Sequence, residues 1–300
     1  MSFDWLAWSN PVSIWWGFLI GVAAANIIFW LMLYRLFRKR GFNLISGKVR
    51  IELMVPLAAA YVFGCAFRSV LPRADIQRIC LFDTWLSSVF IGRTVATVAE
   101  ICFVVQWAIV LHYLARLAKS DMARNISIAI VPLILIAECS SWYAVITTNY
   151  FGNAFENSLW AVAFLLIAGG LLLLLNKFSG AVRTAIGAAI VGITVYAAFM
   201  FTVDVPMYFS RWQADATSGR EYLGFIAGLH DASTRWVVTH DIADWRDEIA
   251  WMSLYFSAAV WTSLALGGFE LVKDQLFRYR AKPANSKLAP GRLSARVGVG

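Results

Sequence analysis

Long apolar runs, separated by short polar connections, recur along most of the chain. Seven of these runs approach or exceed the roughly 20 residues that an α-helix needs to cross the hydrocarbon layer of a membrane. They cover residues 14–36, 51–67, 86–114, 126–146, 159–175, 184–203 and 252–272. The pattern predicts an all-α, polytopic integral membrane protein, with a seven-transmembrane-helix bundle in a single domain over residues 1–272.

Composition supports a lipid environment for these helices. The 300 residues are 60% hydrophobic and 15% charged, with a mean hydropathy of +0.66, which is more apolar surface than one aqueous core can bury. Residues 1–13 contain no Lys or Arg, and no small-residue cleavage site follows the first run. The first run is therefore expected to stay as a helix and not to be a cleaved signal peptide.

The distribution of basic residues predicts the orientation of the bundle. Eighteen of the 26 Lys and Arg residues fall on alternate connections and in the tail after residue 272, and the basic side of a membrane protein faces the cytoplasm. The amino terminus is then outside and the carboxyl terminus inside, in a multi-pass cell (inner) membrane protein. The net charge of +8 suits anionic lipid headgroups and does not indicate nucleic acid. The basic tail, residues 273–300, is predicted to be disordered at the cytoplasmic surface.

Residues 204–250 interrupt the apolar pattern and predict a helical insert on the extracytoplasmic face. Because proline disfavours helix at the preceding residue, the sixth helix is expected to end at Asp204, just before Pro206. An interfacial piece would follow over residues 221–230, and a third helix would begin near Thr239 and continue into the seventh transmembrane helix.

The insert also carries candidate catalytic side chains. His240, Asp244 and Glu248 are spaced to fall near one stripe of a helix, and His230 is close in sequence. These four residues are candidate metal ligands by type, although they match no established metal spacing. A metal-free acid–base pair of His240 with Asp244 or Asp204 is a second interpretation. A solvated, acidic interfacial helix without chemistry is the third.

Arginines supply the predicted ligand-binding groups. All outer-face cations are arginines, and Arg68, Arg73, Arg78 and Arg211 are the candidates for holding an anion, because the planar guanidinium suits phosphate and carboxylate. For the loop over residues 68–83, ordinary solvated ion pairs are the competing interpretation.

Charged residues also lie within the predicted membrane helices. Arg93, Thr97 and Glu100 share one face of the third helix, and Glu138 of the fourth lies at a similar depth. Arg93 is therefore expected to meet Glu138, either as a structural ion pair or as the floor of a polar cavity. Asn149, in a predicted polar loop with a tight turn at Gly152, is a further candidate for the cavity lining.

Three functional hypotheses remain open from the sequence. The first is an extracytoplasmic polar pocket that binds an anionic or amphiphilic, lipid-like small molecule, with an enzyme using histidine and carboxylate chemistry as one form of it. The second is a transporter or proton-coupled permease that uses Arg93, Glu100 and Glu138, although the polar path continues below them only at Gln106 and His112. The third is a non-catalytic sensor or assembly subunit. Nucleophile-elbow, phosphate-loop and dinucleotide motifs are absent from the sequence, and the sequence names no cofactor and no oligomeric state.

Overall fold

The computed structural model describes residues 9–39 and 53–278, which are mostly helical. The predicted all-α class is confirmed. The α-helices are α1 (Pro11–Lys39), α2 (Met54–Val70), α3 (Val89–Leu117), α4 (Asp121–Thr147), α5 (Tyr150–Leu175), α6 (Gly180–Phe199), α7 (Val205–Ser218), α8 (Phe225–Thr234), α9 (Ile242–Leu254) and α10 (Val260–Arg278). A 3-10 turn over Trp85–Ser87 precedes α3.

The described residues contain six helices that are long and apolar enough to cross a membrane, as expected for a multi-pass membrane protein. They are Pro11–Lys39, Val89–Leu117, Asp121–Thr147, Tyr150–Leu175, Gly180–Ser218 and Ile242–Phe269. The last two each include a π turn, over Met200–Asp204 and Tyr255–Ala259. The apolar α2, at 17 residues, is shorter than the other six.

The sixth helix does not end where the proline predicts. It passes through the π turn at Met200–Asp204 and continues as α7 to Ser218. Pro206 lies in the first turn of α7. The i→i+5 bonding of a π turn has already displaced the α-helical ladder there, so the missing proline N–H interrupts little and the ring is tolerated. The start of the predicted insert is therefore helix.

The predicted polar loop between the fourth and fifth helices is also mostly helix. Thr148 makes the turn with φ 60°, Asn149 caps α5 by accepting a hydrogen bond from the Phe151 N–H, and α5 begins at Tyr150. Gly152 lies inside α5, where a Cβ would come within 2.7 Å of the Ala144 Cβ. Its small size permits close packing of α4 on α5, and the predicted tight turn at Gly152 is wrong.

The helix before the last span begins later than predicted, and the last span ends later. Asp241, and not Thr239, caps α9 by accepting a hydrogen bond from the Ala243 N–H at 2.9 Å. The helix then continues through a π turn into α10, which reaches Arg278. The start of the predicted disordered tail is therefore helical. The predicted disorder of residues 279–300 lies outside the described residues.

One end of the bundle, called the capped end below, is covered by the α2–α3 connection, α8 and a small sheet. Strand β1 (Arg73–Ala74) pairs antiparallel with β2 (Ile79–Cys80), and β2 pairs parallel with β3 (Val237–Val238). The Leu223 N–H donates to the Thr147 carbonyl at 3.1 Å, which fixes the chain before α8 to the end of α4. The sheet and this bond hold two segments, far apart in sequence, over the same helix ends.

Helix packing leaves a space on one flank of the bundle. Helix α6 packs along α5, whereas α10 packs along α1, α2 and α3. In the interior, Tyr61 of α2 stacks on Phe103 of α3, with ring centroids 4.6 Å apart. The side of α6 that faces α10 is therefore not filled by that helix, and the candidate site lies in this space.

Candidate functional site

A cavity of about 590 Å³ lies between α6 and the continuous helix formed by α9, its π turn and the start of α10, and it reaches the helices behind them. This volume is typical of ligand pockets. Gly192 and Val195 of α6 line one side, Leu254 and Ala258 line the other, and all four are exposed. The cavity thus opens on the flank of the bundle, along the surface that membrane helices present to lipid.

The cavity has a charged zone and an apolar zone. Five carboxyl groups and three guanidinium groups lie toward the capped end: Asp75, Glu100, Glu156, Asp204, Glu248, Arg68, Arg73 and Arg93. Deeper in the bundle the lining is apolar and aromatic, with Phe103, Trp107, Phe164, Ile193 and Ala259 among its residues. Along α3 the lining runs from Arg93 to Trp107, roughly 21 Å at 1.5 Å per residue. This shape and polarity match an amphiphile.

A buried ionic cluster, formed by Arg93, Glu100, Glu138 and Glu156, joins three helices at the floor of the charged zone. Nη2 of Arg93 donates to Glu100 Oε2 at 2.6 Å and to Glu138 Oε2 at 2.7 Å, and it lies 3.4 Å from Glu156 Oε1. All four side chains are buried. The predicted pairing of Arg93 with Glu138 is confirmed. Glu156, whose charge was not assigned to this pair from the sequence, is a further partner.

Neighbouring hydroxyl groups fix the carboxylates of the ionic cluster. Thr97 Oγ1 donates to Glu138 Oε2 at 2.6 Å and accepts from Trp142 Nε1 at 3.1 Å. The Tyr255 hydroxyl donates to Glu100 Oε1 at 2.7 Å. Because the helical period placed Thr97 beside Arg93, its role was accessible from the sequence. Tyr255 was not identified, because it begins a π turn, and sequence patterns do not show such a turn.

The ionic cluster also has the composition of a cation site. Carboxylate oxygens of Glu100, Glu138 and Glu156 lie within 4.8 Å of one another, and carboxylates are ligands for Ca²⁺ and Mg²⁺. The Arg93 guanidinium nevertheless contacts all three carboxylates. It therefore supplies the positive charge that a metal ion would otherwise bring.

Arg73 is almost fully buried, yet part of its hydrogen-bonding capacity is unused. Nη1 donates to the Ser88 carbonyl at 2.7 Å, whereas Nε and Nη2 have no hydrogen-bond partner in the described part of the chain. Asp75 Oδ1 lies 3.9 Å from Nε, too far for a hydrogen bond. Burial lowers the pKa of Arg73 to about 10, so the guanidinium remains charged at neutral pH. It packs so tightly on Gly92 that a Cβ there would fall 1.6 Å from Arg73 Cζ.

Arg68 is the second buried guanidinium of the cavity. It is 7% exposed, and its Cζ lies 6.0 Å from the centroid of the Phe256 ring. Among the described residues, no hydrogen bond or ion pair holds its guanidinium. Arg68 and Arg73 therefore line the same cavity, and neither guanidinium has all of its donors hydrogen-bonded within the described residues.

Not all predicted ligand-binding residues line this cavity. Arg78 donates to Asp231 Oδ2 at 2.8 Å and to the Asp75 and Val145 carbonyls, and thereby ties the capped end together. Arg211 pairs with Asp247 at 2.5 Å, and Asn149 serves as the α5 cap. Arg68, Arg73, Arg93 and Glu100 do line the cavity, and Glu138 supports it from behind.

The predicted catalytic residues divide in the same way. Asp204 and Glu248 line the cavity, and Asp204 accepts a hydrogen bond from Asn157. His230 is exposed on α8, His240 Nε2 donates to the Leu81 carbonyl at 2.9 Å, and Asp244 accepts from Thr239 Oγ1. Within the described ranges, His230, His240, Asp244 and Glu248 do not converge closely enough to hold one metal ion.

The apolar wall on α6 is the main part of the site that the sequence did not reveal. Small residues on this helix, such as Gly192, were interpreted as contacts for close helix packing. A Cβ at Gly192 would meet no atom within 4 Å, because this part of α6 faces open space. The available signal was the run of small residues itself, which is ambiguous between a packed face and an open one.

Comparison with known proteins adds no relationship to these observations. No protein-family model, no curated protein and no solved structure matches the chain. The function is therefore inferred from the geometry of the cavity.

Proposed function

We propose that this multi-pass membrane protein binds an amphiphilic, lipid-like molecule with an anionic headgroup in the cavity between α6 and the continuous α9–α10 helix. The observation that carries this proposal is the combination of two buried guanidinium groups, whose hydrogen-bonding capacity is not fully used within the described residues, with a long apolar zone that opens on the flank of the bundle. A site of this kind suits a molecule with a charged head and an apolar tail.

The headgroup is proposed to bind at Arg68 and Arg73. A buried charge whose donors are not all satisfied is energetically costly, and both residues line the cavity. Within the described residues, Nε and Nη2 of Arg73 have no hydrogen-bond partner, and no hydrogen bond or ion pair holds the Arg68 guanidinium. A phosphate or carboxylate that accepts these hydrogen bonds would offset the cost, and the planar fork of arginine fits such groups well. The Ser88 carbonyl already holds one nitrogen of Arg73 in place, so this donor is preorganised.

The tail is proposed to lie along the apolar zone. Trp107 and Phe164 line its deep part, and Gly192 and Ala258 stand on opposite sides of the opening. Because the helices that frame this opening have the length and polarity of membrane spans, the opening would face the hydrocarbon layer. A lipid could then enter sideways from the bilayer without its tail crossing water.

We also propose seven spans with the capped end outside, in the cell (inner) membrane. Helix α2 would be the seventh span, since its 17 residues extend about 26 Å, close to the roughly 30 Å hydrocarbon thickness. The concentration of Lys and Arg on alternate connections of the sequence and after residue 272 supports this orientation. The headgroup zone would then lie near the extracytoplasmic interface.

Cysteine labelling in intact cells tests this orientation. Glu221, near the capped end, and Asp121, at the start of α4, are both exposed acids. With a membrane-impermeant maleimide, Glu221→Cys is expected to be labelled and Asp121→Cys to be labelled only after the membrane is opened, with the unsubstituted chain as blank. The reverse pattern would show that the capped end faces the cytoplasm.

Removal of the Arg68 charge tests headgroup binding. Arg68→Gln is expected to weaken binding of phosphatidylglycerol to the delipidated protein by at least about tenfold, because a charge-assisted hydrogen bond contributes about 1.5–3 kcal/mol. Binding is measured by native mass spectrometry in detergent, with diacylglycerol of the same chains as the uncharged comparison. The matched control is Arg235→Gln, whose side chain is 61% exposed.

Arg68→Gln should keep its thermal stability, because the substitution breaks no ion pair within the described structure. A folded Arg68→Gln protein that binds phosphatidylglycerol as tightly as the Arg235→Gln control would contradict the proposed headgroup site. Equal binding of diacylglycerol and phosphatidylglycerol by the unsubstituted protein would contradict recognition of an anionic headgroup.

The transport hypothesis receives less support from the geometry. Gln106 donates to the Met54 and Ser263 carbonyls and accepts from Ser263 Oγ, and His112 Nδ1 lies 3.0 Å from Ser127 Oγ. Both residues below the ionic cluster are thus held by structural bonds and not arranged along a path. A closed-ended pocket is the better account of the cavity, and acid–base chemistry in it would use the carboxyl groups of Glu248 or Asp204.

A further inference from the structure

Glu248 is a second kind of unsatisfied charge in the cavity. It lies on α9, is 6% exposed, and lines the cavity on the same side as Trp251. No hydrogen bond or ion pair holds its carboxylate in the part of the chain that the structure describes. Asp241, Asp244 and Asp247, also in or beside α9, accept hydrogen bonds from Ala243, Thr239 and Arg211 respectively. Glu248 is therefore distinguished both by its burial and by its lack of a partner.

The charges of opposite sign in the cavity are not directly paired. Within the described residues, no ion pair joins Glu248 to Arg68 or Arg73, although all three side chains line the same cavity. Water could solvate each group only in part, because each is more than nine-tenths buried. A ligand with one charge of each sign would satisfy both groups at once.

The carboxyl groups that line the cavity also argue against a purely anionic ligand. They lie beside the guanidinium groups, and a purely anionic ligand would leave Glu248 without a contact of opposite charge. A cationic group on the ligand supplies that contact. Tyr208 and Trp251, which line the cavity with Glu248, have aromatic faces that favour a cation nearby.

We propose that the ligand is a zwitterionic amphiphile, whose headgroup carries an ammonium group beside its anionic group. The Glu248 carboxylate receives the ammonium group, and the guanidinium groups of Arg68 and Arg73 receive the anion. Asp204, which Asn157 holds beside the same zone, is a second acceptor for the ammonium group. This inference rests on the proposed function and adds the class of headgroup.

A comparison of two phospholipids tests the ammonium subsite. Phosphatidylethanolamine and phosphatidylglycerol with identical chains share the phosphodiester, and the first alone has an ammonium group. The delipidated protein in detergent is expected to bind phosphatidylethanolamine on the order of tenfold more tightly, which corresponds to about 1.4 kcal/mol. Glu248→Gln is expected to abolish this preference by weakening phosphatidylethanolamine binding, while phosphatidylglycerol binding stays within about twofold.

Glu221→Gln is the matched control, because it makes the same chemical change at an exposed position outside the cavity. It should retain the preference for phosphatidylethanolamine. Since Glu248 has no partner to lose within the described residues, Glu248→Gln should also melt at the temperature of the unsubstituted protein, which separates a lost contact from a lost fold.

The outcomes distinguish the inference from the function on which it rests. If the unsubstituted protein binds both phospholipids equally, or if Glu248→Gln weakens both equally, the ammonium subsite is wrong and amphiphile binding stands. If the protein binds neither phospholipid, the proposed function fails. If glycerophosphoethanolamine, the headgroup without tails, binds as tightly as the lipid, the proposal that a lipid tail occupies the apolar zone is contradicted. The ligand would then be a soluble zwitterion.

Discussion

Replacement of Arg93 by alanine is expected to lower the free energy of unfolding by about 3–5 kcal/mol, the usual cost of removing one member of a buried ion pair. The reason is that Glu100, Glu138 and Glu156 would lose the guanidinium that contacts all three. Their carboxylates would remain buried and close to one another. Thermal unfolding in detergent, followed by tryptophan fluorescence, measures the effect.

The control for this substitution is Arg124→Ala. Arg124 also pairs with a carboxylate, that of Asp121 at 3.0 Å, but its side chain is 47% exposed. Exposed pairs of this kind contribute about 0–1 kcal/mol, so the melting temperature should hardly change. If Arg93→Ala and Arg124→Ala melt at the same temperature, the ionic cluster does not hold α3, α4 and α5 together.

Obstruction of the apolar zone of the cavity should have the largest effect on ligand binding. Phenylalanine at position 192 would project from α6 into the space in which the tail is proposed to lie, because a Cβ there meets no atom within 4 Å. We expect Gly192→Phe to reduce phospholipid binding by at least about tenfold. The effect on stability should be small, since the new side chain enters open space and does not overpack a core.

Gly169→Phe is the matched control for the slot. Gly169 lies on α5 and is exposed, and a Cβ added there would also meet no atom within 4 Å, but this residue does not line the cavity. Native mass spectrometry of both variants, with the same phospholipid, separates obstruction of the slot from a general effect of an added aromatic ring in α5 or α6. Equal binding by the two variants would place the tail elsewhere.

The sequence predicted those features that depend on helical period and depth. The spacing of Arg93, Thr97 and Glu100 placed them on one face of α3, and counting residues from the helix end brought Glu138 to the same level. The structure joins these side chains. Burial of charge in an apolar run leaves few arrangements other than mutual pairing, and this limitation is why the prediction succeeded.

The sequence could not show which side of each segment faces the cavity. His240 and Glu248 were placed on one helical stripe, but the helix begins at Ile242, so His240 lies before it and binds the Leu81 carbonyl instead. Hydropathy likewise cannot distinguish an apolar helix face that packs against another helix from one that lines a cavity. For this reason α6 was interpreted as packing, and the tail-binding wall was missed.

The two π turns border the cavity from opposite sides. Met200 and Asp204 come from one turn, and Tyr255 and Ala259 from the other. A π turn is equivalent to one residue inserted into an α-helix, and one residue rotates everything beyond it by about 100°. The residues that line the charged zone are therefore rotated about the helix axis relative to those that line the apolar zone, by single-residue insertions in α6–α7 and α9–α10. Deletion of one residue in either turn would restore a regular α-helix. It would rotate the lining residues of one zone away from the ligand, while those of the other zone kept their place.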